Sequence, residues 1–252
     1  MHDTFWLDDA AWSAIEPLLP TNQPGAHRVD DRRVISGIMH ILRCGCRWKD
    51  CPAIYGPPTT IYNRFNRWSR SGLWQRLFAA LVETCAPPVE VTIDSSYIKA
   101  HRSAAGGRGG ARVQAIGPSR GGRTTKVHAL TDIEGRPYAF LLTPGNVADI
   151  SVAPTLVTAL PKSGSLIGDK GYDANSLRRL LDSRSTAAII PSRASRKFPL
   201  PLDQEAYRQR NVIERMFCRL KDFRRIATRY DKLARNFLAA VCLVAALVYW
   251  IN

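Results

Sequence analysis

The sequence predicts an all-α amino-terminal domain followed by an α/β domain in which helices cover both faces of a mixed sheet. Up to about residue 86, apolar residues recur at spacings of three and four, which is typical of amphipathic helices. After Pro87 and Pro88 the pattern changes to short apolar runs separated by helical stretches. A chain of 252 residues is long enough for two such parts. We therefore place the domains at residues 1–86 and 87–252.

The composition indicates a polyanionic partner. Lys and Arg total 36 against 21 Asp and Glu, which gives a formal net charge of +15. Nucleic acid is the common partner of proteins with such an excess of positive charge. We therefore expect the chain to bind double-stranded DNA.

The cysteines and apolar segments favour a cytoplasmic location. The six cysteines form no even disulfide framework, and no secretory signal opens the chain. The apolar run at residues 237–251 is shorter than the roughly 20 residues that a bilayer requires, so we expect no membrane contact. His40, Cys44, Cys46 and Cys51 could be combined into a zinc site, but no Cys-x-x-Cys pair supports one and we do not predict it.

The amino-terminal part contains four apolar stripes, which predict helices near residues 7–19, 34–42, 59–70 and 73–81. The third helix has a polar face formed by Asn63, Asn66, Arg67 and Arg70. Arg and Asn are side chains that read base edges and contact phosphates. We therefore predict a helix-turn-helix-like DNA-binding domain, with a plain helical bundle as the alternative.

The first elements of the second part are a strand, a loop and a hairpin. A strand at residues 89–93 leads into Asp94. Residues 103–122 hold seven of the 17 glycines and three arginines, and we expect a flexible loop that follows a nucleic-acid backbone. A hairpin spans residues 125–142, with Asp132 and Glu134 in its turn. We assign these two acids no chemistry and read His128 as a structural histidine.

Helices and strands then alternate to the end of the chain. Asp149 or Ser151 can cap a helix, and the apolar strand at residues 165–168 ends at Asp169. A helix at residues 175–182 and a buried strand at 187–191 follow. From Asp203 we predict one long basic helix, and after it an apolar helix packed on the sheet.

One motif on the long helix consists of Tyr207, Arg210, Glu214 and Lys221, which are separated by offsets of three, four and seven. These offsets place the four side chains on one helix face. A single carboxylate among an aromatic ring and two cations suits a phosphate-facing surface. The alternative is a solvated surface with an ion pair at i, i+4.

Three carboxylates form the predicted catalytic site. Asp94 and Asp169 end strands that can lie side by side, and Glu214 lies on a helix that can cover them. Converging carboxylates repel one another unless divalent cations neutralise them, and their hard oxygen atoms select Mg²⁺ or Mn²⁺. Two such ions stabilise the entering and leaving oxygens of a phosphoryl transfer. We therefore predict a site for two ions.

These residues resemble a known family. Asp94 in TIDSSYIKAHR, Asp169 in IGDKGYDA and Glu214 in YRQRNVIERMFCRLK resemble the Asp-Asp-Glu (DDE) triad of bacterial insertion-sequence transposases. The Tyr-(2)-Arg-(3)-Glu-(6)-Lys spacing resembles the signature of the insertion-sequence-5 family and its relatives. The stretches RCGCRWKD and TTIYNRFNRWSRSGLW are similar to that family's accessory domain. The resemblance covers essentially the whole chain, although Gly171 stands where relatives often have a larger residue.

The resemblance implies an RNase H-like catalytic core that binds the terminal inverted repeats of its own element. Such a protein cleaves the DNA ends and joins the exposed 3′-OH to target DNA, and we expect a homodimer or a higher oligomer in the DNA complex. By position, the triad holds the metal ions, while Tyr207, Arg210 and Lys221 support the site and contact DNA. His101 receives no assignment. An inactive end-binding repressor and a simple metal-dependent DNA endonuclease remain as alternatives.

Overall fold

The computed structural model describes residues 4–21 and 30–251. Its α-helices, joined in places by short 3-10 turns, are α1 (Asp9–Ile15), α2 (Asp31–Cys44), α3 (Pro58–Arg70), α4 (Leu73–Glu83), α5 (Gly110–Val113), α6 (Ala153–Thr158), α7 (Asn175–Ser183), α8 (Gln204–Tyr207), α9 (Asn211–Lys221), α10 (Arg224–Ala227) and α11 (Ala234–Tyr249). The strands are β1 (Glu90–Ala100), β2 (Gly117–Ser119), β3 (Gly122–Thr131), β4 (Pro137–Pro144), β5 (Ser165–Ile167), β6 (Ala187–Ile189) and β7 (Thr228–Arg229).

The chain divides into two compact units. Among the described residues, the first unit contains those up to Thr84, His101–Arg108 and those from Leu220 onward. The second contains Cys85–Ala100 and Gly109–Arg219. One change of unit falls after Thr84, and the domain boundary near residue 86 stays a prediction. Residues 101–108 and 220–251, which the sequence placed with the second domain, group with the first unit.

The first unit is helical and its core is aromatic. Helix α2 packs against α3 and α10, and α11 packs against α4 and α3. Phe65, Trp74 and Phe237 are fully buried among these helices. The expectation that the carboxy-terminal apolar helix packs on the sheet is thus wrong. A helix that is apolar all round fits any apolar surface, so its sequence did not specify this neighbour.

The second unit is built on a mixed sheet in the order β2-β3-β1-β5-β6, with β4 paired to β3. Strand β1 is antiparallel to β3 and parallel to β5, and β5 is parallel to β6. Apolar residues of the sheet form its core with α6 and α7, and the main contributors are Val91, Ile93, Leu130, Leu156, Leu177 and Leu181. The predicted α/β architecture, a mixed sheet flanked by helices after an all-α region, is confirmed.

Two segments differ from their predictions. The glycine-rich stretch at residues 103–122 contains α5 and β2 and buries Ala104, Ala115 and Ile116, because its few apolar residues find core positions. It is therefore not a structureless loop. The long helix expected from Asp203 is divided into α8, a 3-10 turn (Arg208–Arg210), α9 and α10. None of the helices in the described part of the chain combines the length and apolar character needed to cross a membrane.

Candidate active site

Asp94 and Asp169 lie at corresponding levels of two neighbouring parallel strands. The register of β1 and β5 pairs Glu90 with Ser165 and Thr92 with Ile167. The same offset relates Asp94, within β1, to Asp169, two residues beyond the end of β5. Because adjacent strands are about 4.8 Å apart, this register brings the two acids together at one place on the sheet. The two acids are thus neighbours, but Asp94 does not end its strand as the sequence predicted, because β1 continues to Ala100.

The turn after β5 fixes the Asp169 carboxylate. Its Oδ1 accepts a hydrogen bond of 2.8 Å from the backbone N–H of Gly171. A Cβ atom at position 171 would lie 2.8 Å from the same oxygen, closer than such contacts normally occur. Gly171, which departs from the family pattern, therefore allows the backbone to approach the Asp169 carboxylate closely.

Arg210 connects the first and third acids of the triad. Its Nη1 donates to Asp94 Oδ2 over 2.8 Å, and its Nη2 donates to Glu214 Oε1. The Asp94 and Arg210 side chains are 20% and 24% exposed, whereas that of Glu214 is 54% exposed. The guanidinium thus neutralises part of a negative cluster that still faces solvent. In this structure Arg210 binds carboxylates, whereas its expected role toward phosphates stays a prediction.

The Asp94 carboxyl is buried and lies near other negative charges. Burial is the main cause that raises its pKa, and the charges of Asp169 and Asp149 act in the same direction; against the lowering effects of the Ser95 backbone N–H and of Arg210, the pKa is about 6. A bound cation would favour the charged form of such a carboxyl. Asp94 is therefore a candidate metal ligand.

The buried hydroxyl of Tyr172 points to the same conclusion. It has no protein hydrogen-bond partner in the described part of the chain, and the pKa of Tyr172 is raised by burial and by the charges of Asp149, Asp94 and Asp169. An unpartnered polar atom beside several carboxylates is the environment in which bound water or a hydrated ion supplies the missing contact. The oxygen donors of this site fit Mg²⁺ or Mn²⁺.

Asp149 is a fourth acid of the site that the sequence analysis missed. Its Oδ1 accepts hydrogen bonds from Ser95 Oγ (2.8 Å) and from Lys126 Nζ (2.9 Å), and it lies 3.6 Å from His128 Nδ1. It does not cap the following helix, as we expected, because its carboxylate faces the sheet. The Ser95 backbone N–H in turn donates to Asp94 Oδ1 over 2.7 Å. Asp149 therefore fixes Ser95, whose backbone N–H orients the Asp94 carboxylate.

His128 and the turn acids behave as the sequence predicted. The buried His128 shares a hydrogen bond of 2.7 Å between its Nε2 and Thr143 Oγ1, and burial lowers its pKa to about 4. Asp132 accepts from the backbone N–H groups of Glu134 and Arg136 and so closes the hairpin turn. His101 caps the turn Arg102–Ala104 by accepting from the Ser103 N–H, which gives it a structural role.

The other two residues of the predicted motif take different places. Tyr207 ends α8 and is half-buried, close enough to Arg210 for its charge to raise the pKa of that arginine. Lys221 ends α9 and belongs to the first unit. The 3-10 turn before α9 means that the motif does not lie on one continuous α-helix. The roles of Tyr207 and Lys221 toward DNA stay predictions.

Helix α3 presents the polar face predicted for DNA recognition, with one exception. Asn63, Arg67 and Arg70 are exposed. Asn66 is half-buried, and its Oδ1 accepts a hydrogen bond of 3.1 Å from Asn236 Nδ2 on α11. Asn66 therefore contributes to packing within the first unit, while the other three side chains are free to face a ligand.

Two sequence families match the chain. Residues 86–250, well over half of it, match the family described as the transposase DDE domain. Residues 7–78 match DUF4096, a family described as a candidate transposase of the IS4/5 family. Residues 79–85 lie between the two matches.

Known proteins of insertion sequences are similar to the chain. A Brucella ovis protein, named as a candidate transposase for insertion sequence element IS6501, is 36% identical over 127 residues, which are 50% of this chain and 98% of that protein. The transposase for insertion sequence element IS1106 of Neisseria meningitidis serogroup B is 32% identical over 128 residues, which are 47% of this chain and 44% of that protein.

Among solved structures, the piggyBac transposase in a synaptic complex with hairpin DNA is similar in fold. The TM-score is 0.54 at 12% sequence identity, and the match covers 98% of this chain and 73% of that one. At this identity the likeness concerns the fold alone. It agrees with the mixed sheet and the flanking helices and confirms the predicted RNase H-like core.

Proposed function

Because the chain belongs to the DDE transposases of the IS4/5 family of insertion sequences, we propose that it binds the terminal inverted repeats of its own element, cleaves the DNA there and joins the exposed 3′-OH to target DNA. The observation that carries this proposal is the convergence of the triad. Asp94 and Asp169 share one level of the sheet, and Arg210 connects Asp94 to Glu214. A plain DNA-binding protein has no need of such a cluster of carboxylates.

In the proposed mechanism, Asp94, Asp169 and Glu214 hold two Mg²⁺ or Mn²⁺ ions. When bound, such ions activate the attacking oxygen and stabilise charge on the leaving oxygen. Asp149 keeps Asp94 oriented through Ser95, and the Gly171 N–H fixes the Asp169 carboxylate.

Arg210 has two partners in this mechanism, one before and one after DNA arrives. In the free protein its guanidinium offsets the charge of Asp94 and Glu214. Once cations and DNA occupy the site, the same planar group can bind a phosphate through two N–H donors. Arg210 thus limits carboxylate repulsion in the free protein and becomes available to the substrate afterwards.

The DNA-binding surfaces are proposed from charge and exposure. Helix α3 offers Asn63, Arg67 and Arg70 for contact with the element ends. In the second unit, a groove is lined by the exposed Lys99 and Arg120 among other residues. Cations along a groove suit a phosphate backbone and make affinity strongly dependent on salt. We expect two or more copies of the chain in the DNA complex.

A reaction with paired element ends tests the proposal. The purified protein is mixed with duplexes that carry the terminal inverted repeats, with a target plasmid and with Mg²⁺. Transposition predicts cleaved ends and joined products on a denaturing gel, and both should vanish in EDTA. Binding without cleavage would identify a repressor, and cleavage without joining would identify an endonuclease. Either of these outcomes contradicts the proposal.

A further inference from the structure

The first unit contains a cluster of thiols and an imidazole that takes no part in the DDE chemistry. The ligand atoms of His40, Cys44 and Cys46 all lie within 4.8 Å of one another. His40 and Cys44 are four residues apart on α2, so both project from the same face of that helix. Gly45 then reverses the chain with a φ of 78°, in the left-handed region, and thereby brings Cys46 back toward the helix end.

Cys51 lies near the same cluster. It is buried, with 6% of its surface exposed, and it follows the 3-10 turn Trp48–Asp50. Cys44 and Cys51 lie close enough to Cys46 to interact with it electrostatically. Two thiols and one imidazole therefore converge where α2 ends and the chain turns toward α3, with the thiol of Cys51 nearby.

We propose that His40, Cys44, Cys46 and Cys51 bind one structural Zn²⁺ ion. Three sulfurs and one imidazole nitrogen form an established ligand set for structural zinc, and such soft donors select against Mg²⁺ and Mn²⁺. Zinc–ligand bonds of about 2.0–2.3 Å place tetrahedral ligands about 3.3–3.8 Å apart. The ligand atoms of His40, Cys44 and Cys46 therefore need to approach one another by up to about 1 Å, and Cys51 needs to move in to complete the set. This ion is distinct in chemistry from the hard cations of the DDE site.

Arg225 holds the backbone around Cys46. Its Nη1 donates a hydrogen bond of 3.0 Å to the Cys46 carbonyl. A bound zinc ion deprotonates a coordinating thiol outright.

The ion would join the end of α2 to the segment that leads into α3. That segment contains two short 3-10 turns and has little regular structure of its own. The Tyr55 ring, within this segment, packs on His40 with a centroid distance of 5.3 Å and would hold the imidazole in place. The proposed zinc site would therefore fix the segment that leads into α3. The proposal does not depend on whether α3 reads DNA.

Metal analysis of the full-length protein tests the proposal. Protein purified with a phosphine reductant from zinc-supplemented cells should contain one Zn²⁺ per chain that survives gel filtration. Apoprotein titrated with Co²⁺ should develop a thiolate-to-metal charge-transfer band and tetrahedral d–d bands. Absence of both zinc and these bands in the wild-type protein would overturn the proposal, as would a Cys44–Cys46 disulfide found in the reduced preparation.

Variants assign the ligands. Cys44→Ser and Cys46→Ser should lose the stoichiometric zinc, whereas Cys218→Ser, at an exposed cysteine on α9, should keep it. Cys51→Ser should weaken the charge-transfer band by about a third, since one of three metal–sulfur bonds is lost. If Cys44→Ser retains zinc at the wild-type level, the proposed site is wrong. An unchanged charge-transfer band in Cys51→Ser would show that Cys51 is not a ligand. Spectra of the folded wild-type protein decide the question even if a variant fails to fold.

Discussion

The Lys126–Asp149 pair gives the most specific prediction about the surroundings of the catalytic acids. The Lys126 side chain is 5% exposed, and its ammonium contacts Asp149 Oδ1 at 2.9 Å and the Val147 carbonyl at 2.7 Å. Asp149→Asn keeps the size of the side chain but leaves a buried cation without its counter-charge. Breaking a fully buried pair costs about 3–5 kcal/mol, and because Asp149 is 32% exposed we expect about 2–3 kcal/mol.

A double-mutant cycle separates this pair from general packing. Urea denaturation of the metal-free protein at pH 7 would compare Asp149→Asn, Lys126→Met and the double variant. We expect the free energy of unfolding of the double variant to be no lower than that of the less stable single variant, with a coupling energy of about 2 kcal/mol. Asp182→Asn, an exposed acid on α7, serves as the control and should be silent. Additive effects within about 0.5 kcal/mol would refute the argument.

The same variant has an electrostatic consequence at the triad. The charge of Asp149 raises the pKa of Asp94, so its removal should lower that pKa from about 6. Carboxyl carbon chemical shifts of labelled, metal-free protein measured across a pH series would report this value. Because Asp149 also holds Ser95, end cleavage should fall in Asp149→Asn. A pKa of Asp94 that stays unchanged or rises would contradict the proximity of the two acids.

Three further predictions concern the triad and the proposed DNA-binding helix. Gly171→Ala should displace the Asp169 carboxylate and so lower end cleavage at least tenfold. The melting temperature should change by under about 2 °C. Cleavage at the wild-type rate would contradict this prediction. Because the pKa of Asp94 is raised in the folded protein, its neutral carboxyl contributes stability that is fully present below about pH 4 and is lost as pH rises through about 6. Asn mimics the neutral form, so metal-free Asp94→Asn should be more stable than wild type by up to about 3 kcal/mol at pH 7 and by nearly nothing at pH 4. Urea denaturation at the two pH values measures this difference. Arg67→Ala should weaken binding to cognate ends by about 1–3 kcal/mol in a gel-shift titration at matched salt, whereas the exposed surface control Lys162→Ala should leave it unchanged.

The sequence predicted those parts of the site that depend on local pattern. Asp94 and Asp169 each follow a short apolar run, and the parallel register of the two neighbouring strands places the residues after these runs together. Glu214 was found by its helical spacing to Arg210, and the two side chains form an ion pair. Its place in the triad stays a prediction. In each case the prediction depended on a pattern within a short stretch of sequence.

The features that the sequence did not predict depend on contacts between distant segments. Asp149 is 54 residues from Ser95 and resembles an ordinary helix cap until β3 brings Lys126 beside it. Cys46 approaches His40 because Gly45 adopts a left-handed turn that brings the chain back toward the helix end. The spacing of the cysteines matches no paired motif, and for that reason the four residues were named but no zinc site was predicted.

The central claim, that Glu214 completes a metal-binding triad, is tested most directly by Glu214→Gln in the paired-end reaction with Mg²⁺. The substitution keeps the shape of the side chain, removes one charge and leaves Arg210 an amide oxygen to bind. The variant should fold and bind element ends as wild type does, while cleavage and joining both fall by at least about 10³-fold. Glu205→Gln, at an exposed glutamate on α8, should react normally. Cleavage by Glu214→Gln at close to the wild-type rate would contradict the claim, because Glu214 would then be a surface residue paired with Arg210.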